Sequence, residues 1–160
     1  MPESELPPRS RPRRQWRSSG HIGGLLRDPA LTLNEIVMER LAEQGYEGFT
    51  TAHGTIGQHI ADAGSRVTEL AALAQVSKPT VVYLVNEMER LGYVERRPDP
   101  ADGRAKLVCL TERGLSAQRA GGQIVREIEA DWSTLLGERD FATLRELLTR
   151  LHDALWPPRG

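Results

Sequence analysis

Three basic side chains, Arg96, Arg97 and Lys106, sit on two short runs that suit β-strands, Tyr93–Arg97 and Ala105–Leu110, and a fourth, Arg104, stands just before the second run, with Pro98, Pro100 and Asp102-Gly103 also between them. Proline fixes backbone dihedrals, so cations on such a hairpin meet phosphate or a narrow groove at little further ordering cost. A second polar set, Ser77, Lys78, Thr80, Tyr83 and Asn86, falls on one helix-forming run a little upstream, behind Arg66 and Thr68. Hydroxyls, amides and ammonium groups of this kind hydrogen-bond phosphates and base edges.

Other chemistries find little to stand on. Cys109 lies among Leu107, Val108 and Leu110 and reads as a small buried apolar group; a lone cysteine makes no internal disulfide. His53 and His59 are six residues apart, not the three or four that align two ligands on a helix face, so no metal is expected. There is no nucleophile–base arrangement, paired-acid signature or phosphate-cradling glycine loop, so neither enzyme activity nor a cofactor is expected. Twenty-one basic residues against 22 acidic give a net charge of -1, which means a polyanion must be met by a local patch. With no bilayer-spanning apolar run and no signal-peptide core, a cytoplasmic chain without a membrane partner is expected.

The elements that must position these residues follow from caps and periodicity. Residues 1–27 hold four of the ten prolines and five arginines between Arg9 and Arg17, and read as a flexible basic arm. Asp28-Pro29 opens a first helix carrying Leu33, Ile36, Val37 and Leu41, which Gly45 closes. Thr50 or Thr51 caps a second helix reaching about Ala61. Thr68 caps a third, Glu69–Ala74, with Leu70, Leu73 and Ala74 on one apolar face; Gln75-Val76 turns, and Ser77 caps a fourth. In that helix Val81, Leu84, Val85, Met88 and Leu91 form the buried stripe, and Gly92 stops it. A short helix, a tight turn and a longer helix with a polar first turn make a helix-turn-helix, and the basic hairpin, reversing at Asp102-Gly103, is its wing. Thr111 caps a long helix with Val125, Ile128, Trp132 and Leu135 on one stripe. After Gly137 a last helix repeats the pattern with Phe141, Leu144, Leu148, Leu151 and Leu155. Two such stripes exceed what one small domain buries, which predicts a homodimer with an interface of roughly 2,000 Å² or more. The fold class is thus mainly α (α+β), a winged helix-turn-helix with flanking helices forming a dimerisation domain. The domain spans 28–160, with dimerisation helices at 28–47 and 112–156 and a DNA-binding lobe at 50–111.

Arg66-Val-Thr-Glu-Leu-Ala71, Val76-Ser-Lys-Pro-Thr-Val81, Leu91-Gly-Tyr-Val-Glu-Arg96, Pro98-Asp-Pro100, Asp102-Gly-Arg104 and Leu110-Thr-Glu-Arg-Gly114 occur in an order that resembles the MarR family of bacterial winged-helix transcription regulators. The resemblance covers about 66 to 114 closely. It implies a homodimer on a pseudo-palindromic double-stranded DNA operator, repression, and release by a small aromatic or lipophilic effector. On that pattern Ser77, Lys78, Thr80, Val81 and Tyr83 enter the major groove, with Asn86 adding to selectivity. Arg104 reaches the minor groove with Asp102 holding its guanidinium, and Arg66 or Thr68 meets phosphate. Where the family commonly shows Ser-Arg, this chain has Val82-Tyr83, which favours apolar contact with thymine methyls and a tyrosine hydroxyl over an arginine–guanine contact. Met38, His53 and Trp132 are candidate effector contacts, against plain core roles or, for His53, satisfaction by a neighbouring backbone group. Two other readings stay open: a winged-helix protein-interaction module, and a small-molecule binding protein that binds no DNA.

Overall fold

The computed structural model describes residues 20–156, and the chain divides into two compact units, Met1–Thr32 and Leu33–Gly160. The basic arm expected over 1–27 lies outside the described residues as far as position 19. Helix α1 spans Ile22–Glu43, six residues longer at its start than Asp28-Pro29 suggested. Pro29 lies inside the helix, where it removes one backbone donor. The His21 ring instead serves the helix start, its Nδ1 accepting the Gly24 N–H at 3.2 Å, and a side-chain acceptor here outweighs the local proline signal.

Within the second unit α2 (Thr51–Gly57), α3 (Val67–Ala74) and α4 (Lys78–Arg90) precede an antiparallel hairpin, β1 (Val94–Asp99) and β2 (Asp102–Leu110), and then α5 (Glu112–Leu136) and α6 (Glu138–Leu155). Helix α2 ends four residues short of the expected Ala61, because Gln58, His59 and Ile60 turn back on carbonyls of the helix's last turn. Thr50 caps it in a reciprocal box, its Oγ1 accepting from His53 N at 3.3 Å while His53 Nδ1 accepts from Thr50 N at 3.2 Å. Helix α3 begins earlier than a Thr68 cap implies. Arg66 is its N-cap, and Glu69 reaches back to the Arg66 N–H at 2.9 Å. Gln75 then takes the left-handed conformation, φ 55°, that turns α3 into α4, where Ser77 Oγ accepts from Thr80 N at 3.2 Å.

Ile56, Leu70, Val81, Val85, Met88 and Tyr93 are all at most 1% exposed and form the core of this lobe. Leu73, expected beside Leu70 in that core, is 54% exposed, since the inward face of α3 runs through Val67, Leu70, Ala71 and Ala74 and leaves Leu73 off it. A second core joins α1 to α5 through Val37, Leu41, Ile124 and Ile128. Arg113 ties the two regions: its guanidinium donates to Gly45 O at 2.9 Å and stacks 4.9 Å from the centre of the Tyr93 ring, whose hydroxyl donates to Glu47 O. Helix α6 buries none of its residues and presents Leu144, Leu147, Leu148, Leu151 and Leu155 to solvent. No helix among the described residues is long and apolar enough to cross a membrane.

Candidate nucleic-acid interface

The wing is built by an aspartate that sequence reasoning passed over. Asp99 is 7% exposed; its Oδ1 accepts the Ala101 N–H at 2.8 Å and its Oδ2 accepts Arg66 Nε at 2.8 Å, with Arg66 Nη2 also donating to it. The hairpin therefore reverses at Pro100-Ala101, and Asp102-Gly103 opens β2. Asp and Pro in sequence suit the first two positions of a four-residue turn, and the Asp99–Ala101 hydrogen bond closes it, which outcompetes the Asp-Gly signal. The register steps from Pro98↔Lys106 to Asp99↔Asp102, so Gly103, Arg104 and Ala105 bow outward. Ser65 bonds Val108 in both directions, 3.0 and 2.9 Å, and anchors the wing's base from the other side.

Arg104 is exposed at that bowed tip, and its guanidinium has no partner among the described residues. Asp102 does not hold it as the resemblance implied: its Oδ1 accepts the backbone N–H of Arg104 at 3.1 Å, shaping the turn instead. Lys106 is exposed nearby. Arg97 is exposed but paired with Glu95, Nε to Oε1 at 2.7 Å. Arg96 is drawn inward, donating to Glu89 and, through Nη2, to Asn86 Oδ1 at 2.7 Å, so it and Asn86 fasten β1 to α4.

The Ser77 cap is exposed, and on α4 itself the exposed side chains are Lys78, Pro79, Thr80, Val82, Tyr83, Asn86, Glu89 and Arg90. Val81 must be withdrawn as a groove contact: it is 0% exposed, because the same i, i+4, i+7 spacing that buries Val85 and Met88 turns it into the core. Thr68 is exposed on α3. Arg66, offered as a phosphate contact, has its Nε and Nη2 on Asp99 while its side chain stays 40% exposed. No sequence rule pairs Arg66 with a residue 33 positions on; Pro98-Asp99-Pro100 was the one available hint.

The electrostatics fit a fixed wing. The Ala101 N–H and the Arg66 guanidinium hold the Asp99 carboxyl below the usual aspartate range, and Arg66 is raised by the same hydrogen bond. Burial pushes His53 below its ordinary value, against the opposing pull of Glu87 and of a backbone hydrogen bond at Gly48. His53 is thus a 4%-exposed capping residue bonded to backbone. Trp132 lines a cavity of about 360 Å³ with Leu33, Phe141, Leu144, Leu148 and others. Neither Met38 nor His53 borders it, so the three candidate effector residues do not share that cavity: Met38 packs against the α1–α5 core and His53 is held in the α2 cap.

The family model described as MarR family matches residues 48–105, the stretch holding α2, the helix-turn-helix and most of the wing. Over that stretch the chain is similar to the MarR family. BadR, a transcriptional activatory protein of Rhodopseudomonas palustris, is 31% identical over 96 residues, 58% of this chain and 54% of BadR. The chain spans about half the length of the curated relatives it matches. CouR from Rhodococcus jostii RHA1, solved with p-coumaroyl-CoA, shares the fold with a TM-score of 0.68 at 22% identity, covering 89% of this chain and 96% of CouR. A MepR variant of Staphylococcus aureus bound to an oligodeoxyribonucleotide aligns with a TM-score of 0.56 at 25% identity, covering 84% and 98%.

Proposed function

We propose that this chain acts as a homodimer that binds a pseudo-palindromic double-stranded DNA operator and so regulates transcription. The observation that carries this reading is the joint exposure, on one lobe, of the polar first turn of α4 and of Arg104, whose guanidinium has no partner among the described residues, with the wing between them fixed by Arg66 and Asp99. A rigid wing and an exposed helix N-terminus suit simultaneous contact with a minor and a major groove. MepR, bound to DNA in a similar fold, supports the same use. Dimerisation is supported by the leucines of α6, of which Leu147 and Leu155 are more than half exposed. Burying each would contribute about 1.5–3 kcal/mol. Occupancy of an operator within a promoter excludes polymerase, so repression is the default sign; BadR, by its name, is instead an activatory protein. The cavity beside Trp132 is of a size for a small aromatic effector that would release DNA.

Footprinting on fragments of the surrounding genome tests the reading. The expected result is a protected inverted repeat with half-sites about one helical turn apart, roughly 34 Å. Affinity should fall with salt at a log–log slope of about -0.9 per phosphate contact, and Arg104→Ala should weaken binding by about 1–3 kcal/mol. A flat salt response with no protected site would favour a protein-interaction module.

A further inference from the structure

With Val81, Val85 and Met88 buried, the helical period turns Pro79, Tyr83 and Asn86 outward on α4, with Val82 at their side. Tyr83 is 63% exposed and Val82 37%. None of these four carries a cation, and the nearest arginines are committed elsewhere. Arg90 Nη2 lies 3.2 Å from Glu87, and Arg96 is held by Glu89 and Asn86. Asparagine reads adenine by accepting from N6 and donating to N7 at once; here Asn86 Oδ1 already accepts from Arg96 at 2.7 Å. The Thr80 hydroxyl is bonded to Ser77 Oγ at 2.7 Å. The surface left to meet a base edge is largely carbon: the Val82 methyls, the Tyr83 ring and Pro79. In the major groove the apolar feature that distinguishes one base from the others is the thymine C5-methyl.

We infer that α4 selects its half-site through thymine methyl groups packed against Val82 and the Tyr83 ring, in place of an arginine–guanine contact. This rests on the operator binding proposed above and adds the chemical feature that is read. Lys78, at the start of the helix, is the one cation on this face and the rival reader, of guanine.

The test uses the full chain and duplexes of the protected operator. Uracil replacing thymine one position at a time deletes the methyl and keeps every hydrogen-bonding group; 7-deazaguanine deletes the guanine N7 acceptor. Uracil at one or two positions per half-site should lower affinity about fourfold each, the effect of losing one buried carbon. Deazaguanine duplexes should bind as the parent does. In Val82→Ala and Tyr83→Ala, both at exposed positions, the difference between thymine and uracil should shrink or vanish while the circular dichroism spectrum is unchanged. Uracil duplexes that all bind like the parent, or a thymine preference that survives intact in both variants, would overturn the inference. So would weakening by deazaguanine alone, which would hand the reading to Lys78. A chain that protects no DNA at all would sink the proposed function instead, so the two failures are told apart.

Discussion

Arg66 and Asp99 decide how the wing stands, and neither acts as its position along the chain suggests. Arg66 is a cation at a helix start, the kind of residue that meets phosphate, yet its guanidinium reaches across to the turn of the hairpin. Asp99 is flanked by two prolines and looks like a loop residue, yet it is nearly buried. Because its carboxyl titrates below the usual range when folded, its contribution to stability is fully present above the unfolded value of about 3.9 and is lost as pH falls through the folded value. Melting temperatures measured from pH 7 down to pH 3 should therefore fall less steeply in Asp99→Asn than in the parent chain; identical slopes would show that the pair contributes nothing to folding. The types of the exposed residues, Lys78, Thr80, Tyr83 and Arg104, were legible from local pattern. The partners of Arg66, Arg96 and Asn86 were not, since ion pairs between α3, α4 and the hairpin depend on how those elements dock.

At the level of elements, caps and breakers set most boundaries: Ser77 and Thr111 cap α4 and α5 as their types predict, and Gly45, Gly92 and Gly137 stand just past helix ends with positive φ. The misses came where a local signal met a competitor, as at Asp28-Pro29, Thr68 and Asp102-Gly103. A different constraint joins the wing to α5. Gly114 lies so close to the β1 entry that an added Cβ would stand 2.0 Å from Tyr93 O, a backbone atom that cannot move aside. Gly114→Ala improves helix propensity by about 1 kcal/mol, but the clash dominates and the net loss should be about 1–3 kcal/mol. Urea denaturation followed by circular dichroism should show the midpoint falling; a rise would mean that the strand entry can shift to make room.

For the molecule as a whole, the apolar stripe of α6 has the spacing of a core face, yet none of its residues is buried among the described residues. Sedimentation equilibrium should return about twice the 17.8 kDa chain mass, and Leu148→Glu with Leu151→Glu should shift it toward one chain while sparing the helical signal. A single-chain mass for the parent protein would remove the dimer, and with it the two half-sites. The sequence by itself determined the order of elements, the helix-turn-helix with its wing, and the excess of apolar stripes, because caps, glycine breaks and periodicity act over a few residues. Tertiary structure alone decided where the hairpin turns, and that Arg66 grips Asp99 and Arg96 grips Asn86. Those outcomes depend on side chains far apart in the chain meeting in space, and no local spacing encodes the energy of such a meeting.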